Sequence, residues 1–330
     1  MGNYLRIRAV KAIVTGGTGF IGGHLIDRLL AQGSEVWALV RDPAKAAAFE
    51  RKNVRLLRGD LFSIPQLPAG FDLVFHLAGC TRSLESASYY NVNQAGTASL
   101  CRALAAVRAD FRLIVLSSLA AAGPSLDNRP ILESDPPHPV SSYGRSKWLG
   151  EQEALKYRDR FPVFILRPSA VYGPGDRDFL GYFGMIKKRF FPVAKQQREA
   201  SLCYVKDTVE ALWLCALTDL PSGEIFNIAA PVPYNWEQVG DAAVRAMKIR
   251  ARKVTIPLRC LYTVAVLLEA RGRLTGDISL FSRDKYRELV QPGWVADTSK
   301  ARDLLSFETR YSLEAGMEET IAWYRGRGLL

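Results

Sequence analysis

A serine, a tyrosine and a lysine have the residue types and the spacing for acid–base chemistry. Tyr143 and Lys147 are four residues apart in a segment predicted to be a helix, so their side chains share one face. A tyrosine ordinarily titrates near ~10, and a neighbouring ammonium group lowers that pKa by favouring the phenolate. Such a phenol can exchange a proton with an alcohol or carbonyl oxygen near neutral pH. Ser118, at the end of a predicted strand, would hydrogen-bond the same oxygen.

A glycine-rich turn near the N-terminus supports a catalytic role for these three residues. The β-branched run at 12–15 is followed by Gly16, Gly19 and Gly22, and then by a helical pattern that closes at Gly33. A strand, a glycine turn and a helix in this order predict a cradle for the phosphates of a dinucleotide. The alternative is a tight turn without a ligand. Tyr-x-x-x-Lys alone is also common on exposed helices, and only its combination with the cradle favours catalysis.

The end of the second predicted strand bears on the choice of cofactor. Arg41 follows that strand, and its guanidinium could pair with a 2′-phosphate, with Lys45 as a second positive charge. We therefore expect NADP, with NAD as the alternative if Asp42 turns inward. Asp60, after the third strand, is predicted to accept a hydrogen bond from the adenine amino group, and Leu61 to pack on the ring.

Strands and helices alternate along the first half of the chain. This order predicts an α/β fold, a doubly wound parallel (Rossmann) sheet with a smaller mixed C-terminal substrate domain. We expect an NAD(P)-binding domain at 9–173 and a mainly substrate-binding domain at 174–330, with 202–230 returning to the first. Residues 177–205 look irregular and aromatic-rich, and these aromatic residues either bind a hydrophobic substrate or form the core of the smaller domain. His76, inside the fourth strand, is predicted to pack rather than to catalyse.

Composition excludes several classes of protein. The 330 residues carry a net charge of +11, but the basic residues are scattered and no nucleic-acid motif accompanies them, so we expect no nucleic-acid partner. Five widely spaced cysteines without a Cys-x-x-Cys pair indicate neither a metal site nor a disulfide framework, and with no secretory segment they predict a cytoplasmic protein. Basic and aromatic residues occur together at 187–191 and 259–273, as on membrane-binding surfaces. They do not by themselves lead us to expect a membrane partner.

Several motifs taken together resemble one superfamily. They are TGGTGFIG (15–22), GDL (59–61), HLAG (76–79), NVNQAGT (91–97), LSSLAAAGPS (116–125), YGRSK (143–147), LRPSAVYGPGD (166–176) and YVKDTVEA (204–211). The chain resembles the extended short-chain dehydrogenases/reductases, which include NAD(P)-dependent epimerases, dehydratases and hydroxysteroid dehydrogenases. The resemblance covers roughly the first two-thirds of the chain.

The resemblance implies roles for individual residues and a homodimer built on the helices that carry 89–102 and 143–155. Catalytic roles fall on Ser118, Tyr143 and Lys147. Cofactor contacts are expected from Gly16, Gly19, Phe20, Ile21, Gly22, Arg41, Lys45, Asp60, Leu61, Leu77, Ala78, Gly79, Asn93 and Pro168, with Asn93 bracing the backbone. Substrate contacts are expected from Thr81, Ser118, Ala120, Tyr143, Phe179 and Phe183.

The branch of the superfamily decides the substrate. Nucleotide-sugar enzymes usually carry an arginine that meets the sugar nucleotide's diphosphate, and Ala200 stands at that position here, although Arg198 lies close by. The Val40–Arg41 strand end resembles dihydroflavonol-reductase-like members. We therefore expect an NADP(H)-dependent oxidoreductase acting on a hydroxyl or ketone of a hydrophobic, sterol-, polycyclic- or lipid-like small molecule. The alternatives are a nucleotide-sugar 4-epimerase or dehydratase that retains NAD, and a non-catalytic dinucleotide-binding protein.

Overall fold

In the part of the chain that the structure describes, thirteen strands and twelve α-helices position the candidate site. A computed structural model describes residues 10–46, 49, 52–107, 110–126, 129–196, 198–277, 279 and 281–330. The described strands are β1 (Lys11–Thr15), β2 (Glu35–Val40), β3 (Arg55–Arg58), β4 (Leu73–His76), β5 (Arg112–Leu116), β6 (Val163–Pro168), β7 (Ala170–Tyr172), β8 (Phe190–Ala194), β9 (Glu199–Ala200), β10 (Leu202–Tyr204), β11 (Ile225–Ile228), β12 (Tyr234–Asn235) and β13 (Arg252–Ile256). The described helices are α1 (Phe20–Ala31), α2 (Ser86–Tyr89), α3 (Gly96–Ala105), α4 (Leu119–Ala122), α5 (Ser142–Leu155), α6 (Arg177–Lys187), α7 (Val205–Leu217), α8 (Trp236–Met247), α9 (Leu258–Thr275), α10 (Arg283–Leu289), α11 (Ser299–Leu305) and α12 (Leu313–Gly326).

Seven parallel strands form the central sheet in the order β11-β6-β5-β4-β1-β2-β3. Central strands such as β4 and β6 are buried along their whole length, as expected where helices cover both faces of a parallel sheet. The chain reverses direction across the sheet between β1 and β4, which is where doubly wound sheets bind ligands. The prediction of a doubly wound parallel sheet is confirmed.

The C-terminal region adds three two-stranded sheets, β7 with β10, β8 with β13 and β9 with β12. The prediction of an irregular segment at 177–205 is wrong, because α6 and short strands occupy it. Phe179, Phe183 and Ile186 follow one another at spacings of four and three residues, so they lie on one buried face of α6. Asp176 begins that helix by accepting the backbone N–H of Asp178 at 2.9 Å.

Part of the C-terminal sequence packs against the central sheet. β11 pairs with β6 at the sheet's edge. α7 is buried on nearly all sides and lies beside α1, where Arg28 Nε is 2.9 Å from Glu210 Oε2. The two predicted regions are thus interleaved, and the proposed domain bounds stay a prediction. In the part of the chain described, no helix is both long and apolar enough to cross a membrane.

Candidate active site

The turn between β1 and α1 leaves a space that side chains would fill. Gly16 has φ of +73°, and a Cβ there would lie 2.5 Å from the backbone nitrogen of Ala78. A Cβ at Gly22 would lie 2.2 Å from the carbonyl oxygen of Gly16. Gly19 precedes the first turn of α1 and has no side chain to cap it. The first backbone N–H groups of α1, at Phe20 and Ile21, are therefore suited to an anion, and the turn fits a dinucleotide pyrophosphate.

The loop after β4 forms the neighbouring wall of this space. Ala78 N donates to Thr15 Oγ1 at 3.2 Å, and Thr15 in turn contacts His76 Nδ1 at 2.7 Å. His76 Nε2 lies 2.9 Å from Thr97 Oγ1, so both ring nitrogens have partners in the core, where His76 was predicted to pack. The backbone of Leu77 and Ala78 lies close to Gly16, whereas a Cβ at Gly79 would come within 3.1 Å of Asn93 Oδ1. Sequence reasoning missed Thr15, although a polar residue ending a buried strand was a usable signal.

Asn93 lies in a π-helical segment, Tyr90–Ala95, where the sequence had predicted ordinary helix. Its Oδ1 accepts the N–H of Cys80 at 2.7 Å, and its Nδ2 donates to the Cys80 carbonyl at 3.0 Å and to Ser146 Oγ at 2.8 Å. π-Helical turns often occur at functional sites because they redirect one side chain. Here Asn93 joins the loop after β4 to the helix that carries Tyr143.

The residues predicted to bind the adenosine end of the cofactor differ in whether their side chains already have hydrogen-bond partners. Arg41 is exposed at the end of β2, whereas Asp42 Oδ1 accepts the N–H of Ala44 at 3.1 Å, within its own turn. Asp60 Oδ1 accepts the backbone N–H groups of Phe62 and Ser63, both at 2.8 Å. The side chain of Lys45 lies outside the described part of the structure.

Leu61 was predicted to pack on the adenine ring. Its side chain is buried against α3, at a position where a Cβ on Gly96 would come within 2.6 Å of Leu61 Cδ1. The absence of a side chain at Gly96 leaves room for this leucine in the core, and its contact with adenine stays a prediction. Pro168, another predicted cofactor contact, is buried at the end of β6 opposite Ile228.

The three residues predicted to be catalytic, Ser118, Tyr143 and Lys147, come together at the carboxyl end of β5. The Tyr143 side chain hydrogen-bonds Ser118, whose Oγ also accepts the N–H of Ala120 at 3.2 Å as the cap of α4. Lys147 Nζ donates to the carbonyl oxygen of Leu116 at 2.6 Å. Ser118 and Tyr143 thus present two hydroxyl groups to one point, which is the geometry for holding a carbonyl or alcohol oxygen.

The electrostatics differ from the sequence-based expectation. Desolvation raises the pKa of Tyr143, opposed by the hydrogen bond from Ser118. Burial lowers the pKa of Lys147 to about 8, opposed by the nearby Glu151 carboxylate. The predicted lowering of the tyrosine pKa by Lys147 is wrong, because the ammonium group is held by the Leu116 carbonyl and burial dominates at the phenol.

A distant helix fastens the start of the catalytic helix. Asp284 on α10 accepts the backbone N–H of Ser142 at 2.9 Å and of Tyr143 at 3.1 Å. Glu288 accepts the hydroxyl of Ser141 at 2.7 Å. Sequence reasoning missed both acids, since nothing local connects α10 with a helix about 140 residues earlier.

The predicted substrate residues divide into two groups. Ala120 and Tyr143 border the Ser118 hydroxyl, and Thr81 is exposed on the loop after β4. Phe179 and Phe183 instead lie in the core of the C-terminal region, and Phe183 has no exposed surface. Their placement agrees with the alternative interpretation, in which these aromatic residues form the core of the smaller domain. The predicted contact of Phe183 with the substrate is wrong, because its side chain is fully buried.

Comparison with known proteins agrees with this arrangement. The model of the NAD dependent epimerase/dehydratase family matches residues 12–229. The chain is 30% identical to a ceramide reductase of Caulobacter vibrioides over 98% of this chain and 96% of that protein. It is 28% identical to a 4-hydroxy-2-methyl-3-oxo-4-farnesyl-3,4-dihydroquinoline-1-oxide ketoreductase of Stigmatella aurantiaca, covering 80% and 81% of the two chains.

A solved structure shares the whole fold. A UDP-glucuronic acid 4-epimerase from Bacillus cereus, in complex with UDP-glucuronic acid and NAD, superposes with a TM-score of 0.77 at 20% identity, over 96% of this chain and 100% of the other. The glycine cradle, the parallel sheet and the family match agree, and the chain belongs to the NAD-dependent epimerase/dehydratase family of extended short-chain dehydrogenases/reductases.

Proposed function

We propose that this protein is an NADP(H)-dependent reductase that converts a ketone of a lipid-like molecule to a secondary alcohol. The observation that carries the proposal is the pair of hydroxyl groups on Ser118 and Tyr143, joined at the end of β5 beside the dinucleotide cradle. A ketone oxygen placed there would accept hydrogen bonds from both. When bound, the reduced nicotinamide supplies the hydride to the carbonyl carbon.

Tyr143 completes the reaction by donating its proton to the carbonyl oxygen. Its raised pKa keeps the phenol protonated at neutral pH, which is the form that reduction requires. Ser118 holds the oxygen in place, and the Lys147 ammonium, held by Leu116, adds positive charge near the proton donor. One hydride and one proton are added, so the ketone becomes an alcohol.

The lipid-like substrate is supported by the relatives' names. One relative is a ceramide reductase and another is a ketoreductase of a farnesyl-bearing compound. NADP is supported by Arg41, which is exposed at the end of β2, and by Asp42, whose carboxylate is engaged by its own turn.

The alternative is a nucleotide-sugar 4-epimerase that retains NAD, as suggested by the UDP-sugar and NAD in the similar solved structure. The position of the expected diphosphate-binding arginine is Ala200, on β9. Arg198 does not replace it readily, because its guanidinium donates to the Val290 carbonyl and to Gln196 Oε1 at 2.7 Å. This arrangement favours the reductase.

Two assays test the proposal. Calorimetry should show NADP⁺ binding that weakens at least tenfold, about 1.4 kcal/mol, in Arg41→Ala, because the guanidinium pairs with the 2′-phosphate. NAD⁺ affinity should change little, and Arg302→Ala, which alters an exposed arginine on α11, is the control.

The second assay follows NADPH oxidation. It should be seen with a long-chain keto lipid in micelles and not with UDP-glucuronic acid, and Tyr143→Phe should abolish it while NADPH still binds. Tightly retained NAD, indifferent to Arg41, together with epimerisation of the UDP-sugar would overturn the assignment.

A further inference from the structure

Helix α9 exposes an apolar face. Cys260, Thr263, Leu267, Ala270 and Leu274 follow one another at spacings of three and four residues, so they lie on one side of the helix, here called the docking face. Leu267 is 63% exposed and Leu274 is 88% exposed. The opposite side carries Ala265 and Gly272, the two buried residues of the helix. Leu258, Leu261 and Leu268 are partly buried on that inner side, so α9 carries large apolar side chains on both its inner and its outer face.

Positive charge borders the docking face. Arg259, Arg271 and Arg273 are exposed on α9, and Arg271 Nη2 lies 3.5 Å from Asp277 Oδ2. The one acidic residue of α9, Glu269, faces the protein, where its carboxylate binds the backbone N–H and the Nε of Arg283 at 2.7 and 2.6 Å. The exposed side of the helix therefore combines leucines with an excess of positive charge, since α9 carries three arginines and one acid.

We propose that the docking face binds the surface of an anionic lipid membrane. An amphipathic helix lies in the interface with its apolar side in the acyl boundary and its arginines at the headgroups, and anionic lipids strengthen this binding. A second copy of the chain fits less well. Packing two docking faces together would bring arginines close to arginines, while α9 offers no outward acid to pair with them.

The docked helix would lie beside the loop after β4 and beside α10. Gly272 packs against Leu84, in the loop after β4, where an added Cβ would come within 2.9 Å of Leu84 Cδ2. Tyr262 packs edge-on against Tyr286 of α10 with ring centroids 5.2 Å apart, and α10 also carries Asp284, which holds Tyr143. A single helix, α10, therefore connects the proposed membrane-binding helix α9 with Tyr143.

Flotation of the full-length protein with vesicles tests the proposal independently of any reaction, since neither cofactor nor substrate is added. The protein should float with phosphatidylglycerol-containing vesicles, float less with pure phosphatidylcholine, and lose binding in high salt. The double variant Leu267→Gln/Leu274→Gln should reduce the bound fraction at least tenfold. Leu304→Gln/Leu329→Gln, which alters leucines 45% and 51% exposed elsewhere, is the matched control and should bind like the unaltered protein.

Either of two kinds of result would overturn the proposal. One comes from flotation: no binding of the unaltered protein to anionic vesicles, or binding that the docking-face variant retains. The other is a dimer in analytical ultracentrifugation that Leu267→Gln/Leu274→Gln dissociates, which would assign the face to a second copy. Circular dichroism and the melting temperature should be unchanged in both double variants, because all four leucines are exposed.

Discussion

At the scale of single residues, burial decides which groups carry charge. Desolvation raises the pKa of the Tyr143 phenol further above neutral pH, and the same burial lowers the pKa of Lys147 to about 8. His76 lies beneath them in β4. Its burial, helped by the Lys147 charge, lowers its pKa to about 3. The histidine therefore stays neutral in the folded protein and serves as a link between Thr15 and Thr97.

His76 should make the protein sensitive to acid. In the unfolded chain it takes up a proton near pH 6.5, whereas in the folded protein it does so only near pH 3. The contribution of His76 to the free energy of unfolding is therefore fully present above about pH 6.5. Below that pH it falls by roughly 1 kcal/mol per pH unit. Urea unfolding at pH 7 and pH 5 should show a smaller loss for His76→Gln than for the unaltered protein. Equal losses would show that His76 does not carry this dependence.

At the scale of elements, a buried ion pair fastens the catalytic helix to the sheet. The carboxylate of Glu151 on α5 accepts hydrogen bonds from Nε and Nη2 of Arg167 on β6, at 2.9 and 2.6 Å. It also accepts a hydrogen bond from the hydroxyl of Ser117. Both charged side chains are almost completely buried. This contact sets the position of α5 over β5 and β6, and with it the distance between Tyr143 and Ser118.

Breaking this pair should destabilise the protein. Glu151→Gln would leave the Arg167 charge buried without a counterion, at a cost of roughly 3 kcal/mol in the free energy of unfolding. Glu153→Gln on the same helix is the control. Glu153 pairs with the exposed Lys156, so its loss should cost less than about 1 kcal/mol. Chemical denaturation measures both values, and similar effects of the two variants would contradict the argument.

At the scale of the whole molecule, the C-terminal region completes the start of the catalytic helix. Asp284 is separated from Tyr143 by 141 positions in sequence, yet its carboxylate accepts that residue's backbone N–H. The N-terminus of α5 has a partial positive charge that this carboxylate balances. Arg82, on the loop after β4, forms a further ion pair with Asp178 on α6. The residues proposed to be catalytic are therefore held by contacts from both regions of the chain.

Asp284 is thus a positioning residue. Asp284→Ala should lower kcat of the NADPH-dependent reduction about tenfold, because the first turn of α5 loses two hydrogen bonds and Tyr143 is held less firmly. NADP⁺ affinity should be unchanged, since the cradle is formed by other residues. Asp284→Asn should restore part of the rate through its amide oxygen, and Asp303→Ala, an exposed acid on α11, is the control. A parallel loss of NADP⁺ binding would point to general unfolding instead.

Local patterns determined the features that lie close together in sequence. The strand, glycine turn and helix at 11–31 are contiguous, and so are the spacing of Tyr143 and Lys147 and the hydroxyl at the end of β5. Each follows from residue types within a few positions, because backbone freedom at glycine and helix or strand periodicity act over short distances. The parallel sheet followed from the repeated alternation of strands and helices.

Only the tertiary structure decided the contacts between remote residues. The acids that cap α5, the Glu151–Arg167 pair and the enclosure of Leu61 against Gly96 join positions 16 to 147 residues apart. The direction of the tyrosine pKa shift was also decided there, because desolvation depends on everything packed around the hydroxyl. The outward face of α9 belongs with these, since its residues alone do not say which side of the helix the protein covers.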